Sequence, residues 1–491
     1  MQRVQLLMSN LERFVHPKIV EFSYATACSG TDVVSAAMGA TLRYWSTKFG
    51  VVVHCRHLFS CESVAFKRDF ISRHHRPERI FNDVHKLSDD FAWGELSGKE
   101  QTVPCPDSFW AGFMCDQYSP LNIRASEAQG SYRRNQGSSG TTGRSVAKFV
   151  MKRRPKWSTL ENVKAANRAG VEGAESDVEA LVRDLNSVGI YVRLDHLNAL
   201  EFMCPQSRPR IYLQAVLASS LPIDQFNSEF STPPVGLEFG AFLREIRQPR
   251  TFLLEDFLAP PSFSEFGVWY HDAFPRCQAS TDQASSSKKS DHLYQVDHLD
   301  TFTACEMPWP PSYSDDPELE AAMGSIPERQ KQCIWFHERK PNSSRCATNR
   351  EKVYDTNMNL SWQVEPPEGA QIGCLTSTTR GWILNLRRPL LGAEALYLQG
   401  FHYKHLRNSD KHFSQANLMD LAGNAFCGFA CAAILIAGFG SIDFDSLEPF
   451  IQRLQPDTDV SGSEVEESEE EQKEEAASEG NPASELDYAS D

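Results

Sequence analysis

The sequence predicts an α/β fold with a mainly parallel sheet at its centre. Two observations carry that reading. Over residues 1–215, β-rich runs alternate with segments of helical period, and strands separated by helices pair in parallel through crossovers. The same apolar strand and helix patterns return over residues 371–454, after a long interval of different character. That interval therefore reads as an insertion between two parts of one sheet domain.

The elements follow in order. The first strand covers 19–25 and runs into a turn of small residues, Cys28, Ser29 and Gly30, before a helix over 31–40. Small side chains there let a ligand approach backbone N–H groups. A second strand over 51–60 ends near Glu62, where an acid of an open α/β sheet binds ribose hydroxyls. Asp83 follows a third apolar segment. A fourth strand over 108–113 leads to Cys115, just past its carboxyl end in the crevice where ligands bind. Residues 124–156 hold nine Lys/Arg against the single acid Glu127 and contain the Gly/Ser/Thr run 136–143. A mobile basic loop is expected here, suited to a polyphosphate strand. Glu161 ends the next strand-like run and faces the same crevice. A helix over 176–188 and strands over 190–195 and 210–216 complete the first part. Arg208 and Arg210 stand two apart at the start of the last strand, a spacing that points both to one face.

Residues 216–370 are rich in Pro, Ser and Asp with scattered aromatics and no clear period, and 276–291 reads as an exposed loop. An irregular inserted region is expected. Within it only 328–352 is basic, with seven Lys/Arg against three acids, and it carries Trp335 and Phe336. Nucleic acid is expected to contact that stretch. From 455 to 491 the chain is Ser/Glu-rich and too poor in apolar residues to fold, so a disordered acidic tail open to protein partners is expected.

Charge divides the chain in the same way. Of the net −16, residues 457–491 carry −13 and 216–370 carry −10, leaving +7 on the two sheet-forming parts. The thirteen cysteines are scattered, without CxxC pairs or neighbouring His pairs, so neither a disulfide framework nor a metal module is expected. The apolar run 427–438 is too short to span a bilayer, and residues 1–17 lack a signal-peptide core. An intracellular protein without membrane contact is expected.

Taken together, MCDQYS at 114–119, ENV at 161–163, QSRPR at 206–210, RRPLLGAEALYLQGF at 387–401 and LAGNAF at 421–426 resemble, in order and spacing, the blocks of the C5-cytosine-specific DNA methyltransferase family. The resemblance implies a Rossmann-like sheet that uses S-adenosyl-L-methionine, with 216–370 in the place of the target-recognition region. It implies Cys115 as the nucleophile adding to C6 of cytosine and Glu161 as the partner of N3 and the amino group. Arg208 is then the arginine that meets the base or orients Cys115, and Arg210 the one that holds the loop or a phosphate. For the cofactor it implies Cys28, Ser29 and Gly30 at the glycine-rich turn, Glu62 at the ribose, Asp83 at the adenine and Asn424 at the methionine end. DNA is the implied partner, with the base flipped out of the duplex and the protein in the nucleus. One branch of the family methylates tRNA, and a catalytically inactive binding protein would keep the same fold. Met114 and Asp116 stand where the family has Pro and Gln. A carboxylate at 116 raises the thiol pKa if it points inward.

Overall fold

The computed structural model describes residues 21–49, 54–119, 130–168, 174–218, 237–247, 252–273, 288–324, 326–340, 352–363, 371–384, 386–406 and 413–441. Nine strands form one sheet: β1 (Glu21–Ala27), β2 (His54–Cys61), β3 (Ile80–Phe81), β4 (Phe91–Gly94), β5 (Lys99–Thr102), β6 (Ser108–Gly112), β7 (Trp157–Val163), β8 (Ile190–Asn198) and β9 (Pro209–Leu217). Their order is β5-β4-β3-β2-β1-β6-β7-β9-β8. β1 pairs in parallel with β2 and β6, β2 with β3, and β6 with β7, while β9 runs antiparallel between β7 and β8. The chain enters at the centre and grows outward in both directions, so strand order reverses between β1 and β6. Ligands of open α/β sheets bind at that point, beyond the carboxyl ends of the strands.

Alternation along the strands sends side chains to two cores. Ala25, Ala27, Phe109, Ala111 and Leu160 face one side, under α4 (Gly137–Arg153) and α5 (Asp177–Asn186), which follow α1 (Val33–Phe49), α2 (Ala65–His74) and the single turn α3 (Ser131–Arg134). Tyr24, Trp110, Trp157 and Tyr212 face the other side. That side is covered by α1, by α6 (Leu237–Ile246) and α7 (Phe266–Ala273), and by the late helices. β1 is buried along most of its length, as a strand covered on both faces must be. Ser176 caps α5: its hydroxyl accepts from Glu179 N–H, and the Glu179 carboxylate accepts from Ser176 N–H.

The inserted region is ordered differently from the expectation. Phe239, Leu243, Leu254, Phe257 and Trp269 belong to the main core, so 237–273 packs with the sheet. A separate small core forms further on, around α8 (Lys288–Ala304), α9 (Pro317–Met323), α10 (Glu328–Arg339) and the antiparallel strands β10 (Val353–Asp355), β11 (Gly381–Ile383) and β12 (Arg388–Pro389). The described part of 216–370 is therefore largely helical and split between two cores. Trp335 and Phe336 are only 4% and 3% exposed inside the small core, so neither can stack on a base. The aromatic part of that expectation is corrected: on α10 Trp335 and Phe336 point inward, and a local charge count cannot show which way a side chain faces. Residues 341–351, 276–287 and the acidic tail lie outside the described residues.

The expected mobile basic loop is also corrected where it is described. Residues 137–153 form the helix α4 although they begin GSSGTTG, a run of weak helix formers. Close packing overrides the propensity. A Cβ at Gly140 would lie 2.3 Å from Ser131 O, so only glycine lets α4 approach α3 this closely. The Asp116 carboxylate accepts from the Ser138 and Ser139 hydroxyls at 3.0 and 3.1 Å, placing a negative charge at the helix N-terminus.

The last helices of the described residues are α11 (Gly392–Leu398), α12 (Gln415–Asn424) and α13 (Gly428–Ser441). The stretch 415–439 is long and apolar enough to cross a membrane, but 89% of its apolar window is buried inside the fold. It is a core helix pair. Small residues on α13 admit the Trp157 indole, and a Cβ at Gly438 would lie 2.4 Å from that ring. Trp157 is fully buried and cannot give way. Gly438→Ala is expected to lower stability by about 1–3 kcal/mol, read as a lower urea midpoint with an unchanged slope.

Candidate active site

The carboxyl ends of β1, β2, β3, β6 and β7 open into one cleft of about 1490 Å³. Its lining contains Cys28, Gly30, Glu62, Asp83, Cys115, Glu161, Arg208, Arg210 and Asn424. Residues spread over nearly 400 positions thus meet in one space.

At one end, Cys28 and Gly30 take left-handed φ angles of 52° and 66° in the turn after β1. A Cβ at Gly30 would lie 3.2 Å from Asn424 O, so the first turn and the end of α12 touch backbone to backbone. Burial, with Glu62 and Asp83 nearby, pushes the Cys28 thiol up, so it stays neutral. Ser29 does not line the cleft. It is buried and its hydroxyl donates to Asp32 at 3.4 Å. Asp32 also accepts from Ser60 at 2.6 Å, with His57 Nε2 at 3.5 Å. The Ser29 side chain thus anchors the turn from behind. Glu62 is held by Val64 N–H at 3.0 Å, and burial raises its pKa. Asp83 accepts from His85 N–H at 2.8 Å, which fixes the carboxylate at the cleft edge. Asn424 donates to Asp420 Oδ1 at 2.7 Å, and Asp420 pairs with the buried Lys67 at 3.2 Å.

At the other end, Cys115 follows β6 on a loop fixed by its own backbone. Its carbonyl accepts from Tyr118 and Ser119 N–H groups at 3.0 Å each. The buried Asn162 donates to Phe113 O at 3.1 Å and so ties this loop to β7. Sheet register brings in the next pair. Glu161 lies opposite Tyr212 and Val163 opposite Arg210, so Glu161 and Arg210 share a face as diagonal neighbours. They meet at 3.0 Å. Burial raises the Glu161 pKa against the opposing pull of Arg210 and Arg208. The Cys115 thiol is also raised, by burial first and Glu161 next, while both arginines pull it down. Asp116 is the smallest of these influences, and its carboxylate is engaged at the start of α4.

The two arginines have different surroundings in the cleft. Arg208 is 3% exposed and donates to Leu375 O at 3.0 Å, Gly423 O at 3.0 Å and Ala425 O at 2.6 Å. It is the residue that holds loops together. Arg210 is bonded to Glu161 and, ahead of Arg208, pulls the Cys115 thiol down. Sequence reasoning missed Cys374, whose sulfur lies 3.6 Å from Arg208 Nη1 and 3.5 Å from Arg210 Nη2. It also missed Asn162 and the Lys67–Asp420 pair. Asn162 sat inside a recognised block without a role; nothing in the sequence pointed to the others.

An open α/β sheet with paired carboxylates beyond β2 and β3, and a thiol beyond β6, defines the methyltransferase class that uses S-adenosylmethionine. The chain belongs to the C-5 cytosine-specific DNA methylase family, which it matches over residues 59–434. It is 24% identical over 439 residues to the DNA (cytosine-5-)-methyltransferase DMT5 of Cryptococcus neoformans, covering 84% of this chain and 17% of that protein. It is 29% identical over 150 residues to the type II methyltransferase M.HhaI of Haemophilus parahaemolyticus, covering 30% of this chain and 41% of that enzyme. The Dnmt2 methyltransferase structure of S. pombe aligns with a TM-score of 0.44 at 11% identity, over 85% of this chain and 98% of that one. The chain spans under a fifth of the length of the DMT5 relatives it matches.

The donor set fits S-adenosylmethionine, the methyl donor of this family. Glu62 and Asp83 offer carboxylates to hydroxyl and amino groups. Val64, Val84 and Phe426 give an apolar lining between them, and the Gly30 turn leaves backbone exposed.

Proposed function

We propose that this protein transfers a methyl group to C5 of cytosine in DNA through a covalent adduct on Cys115. The observation that carries this is the convergence of Cys115, Glu161 and Arg210 in the same cleft as Glu62, Asp83 and Asn424. C5 of a neutral cytosine is a poor nucleophile, so the ring must first be activated. The Cys115 sulfur adds to C6, and the C5–C6 π electrons become available at C5. Glu161, whose pKa burial raises against the opposing pull of Arg210 and Arg208, partners N3 and stabilises the charge that develops on the ring. Arg210 holds Glu161 in place by their ion pair. Bound S-adenosylmethionine supplies the electrophilic methyl group. Loss of the C5 proton and expulsion of the sulfur then restore the aromatic ring and free Cys115.

DNA is favoured over tRNA because the family is that of DNA methylases and the DMT5 and M.HhaI relatives are both cytosine-5 or type II methyltransferases. A base inside a duplex cannot reach a thiol at the floor of this cleft, so the target cytosine flips out. The same reading places the protein in the nucleus, which imaging of a tagged chain checks. The deciding experiment offers 5-fluorocytosine in duplex DNA and in tRNA, with S-adenosylmethionine present. A denaturation-resistant complex with DNA that Cys115→Ala loses supports the proposal. A complex with tRNA alone, or with neither, overturns it. Glu161→Gln keeps the shape but cannot exchange a full proton with the ring, and it should slow methyl transfer by on the order of 10² at saturating DNA, read as methyl incorporation from labelled cofactor.

A further inference from the structure

Two features of the sequence take no part in the chemistry of the cleft. Met114 and Asp116 stand beside Cys115 where the family has Pro and Gln, and the run GSSGTTG fills 137–143. The fold puts the two against each other. Met114 N–H donates to Thr142 Oγ1 at 3.2 Å. The Asp116 carboxylate accepts from the Ser138 hydroxyl at 3.0 and 3.1 Å and from the Ser139 hydroxyl at 3.1 Å. Gln117 exchanges two bonds with Ser139. Its N–H donates to Ser139 Oγ at 3.3 Å, and its Oε1 accepts from Ser139 N–H at 3.1 Å. The helix α4 takes no cap from the side chain of Gln136, the residue before it. An orphan N–H of its first turn is met by Gln117 instead. Gly137 starts the helix at a φ of 65°, and a Cβ at Gly143 would lie 3.2 Å from the Phe113 ring, so small residues let the helix close on the loop. The loop is also tied on its other side, where the Tyr118 hydroxyl donates to Asp177 at 3.1 Å. α4 itself is anchored through Ser145, whose hydroxyl lies 2.6 Å from His85 Nδ1.

We propose that Asp116, Gln117 and Thr142 are positioning residues, which clasp the thiol loop to the start of α4 and so hold the Cys115 sulfur where it reaches C6 of the base. The proposal rests on the reading of Cys115 as the nucleophile and adds what fixes it in place. Proline stiffens a chain through its ring but has no N–H. Where the family has that ring, this chain has an N–H to give, and Thr142 takes it. A glutamine offers one acceptor oxygen, whereas the Asp116 carboxylate has two and meets two hydroxyls at a helix N-terminus, where negative charge is favoured. Hydrogen bonds to α4 thus stand in for the stiffness of the ring. The Asp116–Ser138 bonds are exposed and contribute little to global stability. Their value lies in geometry, because moving a reacting group by about 1 Å costs on the order of 10² in rate.

The test uses the full chain as wild type, Asp116→Ala, Thr142→Val and Thr142→Ser, with two readouts. Deuterium exchange follows the amides of 114–117 and 137–142. Rapid quenching follows the adduct with duplex DNA containing 5-fluorocytosine, at saturating DNA and S-adenosylmethionine. In Asp116→Ala, exchange should speed up in both segments together, and adduct formation should slow by about 10–100-fold. Thr142→Val loses the acceptor for Met114 N–H and should slow the adduct by about tenfold. Thr142→Ser keeps the hydroxyl and should match wild type. Affinity for S-adenosylmethionine and the urea midpoint should stay close to wild type, a split that a general loss of folding would not give. The sign also separates positioning from charge. If Asp116 acted through its charge on the thiol, removing it would ease ionisation and speed the adduct. Faster or unchanged adduct formation in Asp116→Ala, unchanged exchange, or a Thr142→Ser as slow as Thr142→Val overturns the proposal. If no protein, wild type included, forms an adduct while exchange responds as expected, the assigned reaction fails and the clasp between loop and helix stands.

Discussion

Cys115→Ala is expected to abolish both methyl transfer and the covalent complex with 5-fluorocytosine DNA, with a loss of at least about 10³ in rate. Without the sulfur, C5 has no route to activation, and nothing else at that point of the cleft can take its place. Cys374 is the other exposed thiol in the lining, but it is engaged with Arg208 and Arg210. Cys115 is only partly buried and its loop is fixed by backbone bonds, so stability should change by less than about 1 kcal/mol. Loss of activity with an unchanged urea midpoint would therefore separate chemistry from folding. The direction of the thiol shift adds a signature. The Cys115 pKa lies above the ordinary thiol value, so in the free enzyme the thiolate fraction falls tenfold for each pH unit below it. Adduct formation at low substrate should rise with pH through neutrality, with no plateau below the ordinary thiol range. A rate independent of pH between 6 and 8 would contradict the raised pKa.

Arg208→Ala is expected to cost about 3–5 kcal/mol of stability and to remove activity with it. The side chain is buried, and its guanidinium joins three segments that are distant in sequence: β9, the loop at 374–375 and the turn at 423–425. Truncation removes a charged donor from three carbonyls, of which that of Ala425 is buried, and a buried acceptor left unpaired costs about 1–3 kcal/mol where water cannot enter. The turn at 423–425 also carries Asn424 against Gly30. Loss of Arg208 should therefore weaken S-adenosylmethionine binding as well as the packing around Cys115. Arg208→Lys keeps the charge but cannot reach three carbonyls at once, and an intermediate urea midpoint is expected. Arg210→Ala offers the contrast. Its bonds are to Glu161 and Cys374 inside the cleft, so activity should fall far more than stability. If the two variants behaved alike, the division of roles between the arginines would be wrong.

Much of this site was legible before any coordinates. Glu62, Asp83, Cys115 and Glu161 all lie at or just beyond the carboxyl ends of parallel strands, and strand ends can be read from where apolar runs stop. Gly30 was legible because a strand-to-helix turn requires small residues, and the left-handed angle there bears that out. Other features were not legible, each for a physical reason. The helix α4 is built from residues that disfavour helices, and only contact with α3 and Asp116 makes it form. Ser29 belongs to the expected turn but faces Asp32, because side-chain direction in a turn depends on what packs behind it. Trp335 and Phe336 sit among basic residues in sequence yet point into a core closed by strands from elsewhere in the chain.

The sequence by itself determined the α/β sheet, the family and most of the residues that meet in the cleft. These depend on local periodicity and on the order of short blocks, both of which survive when the chain is read as a line. Only the tertiary structure decided how the charges are shared. Arg208 and Arg210 are equivalent in spacing and both meet Cys374, but one finds three carbonyls of other segments and the other a carboxylate. Those partners come from segments about 50 to over 200 residues away. Electrostatic energy depends on distance and burial in space, which separation along the chain does not report.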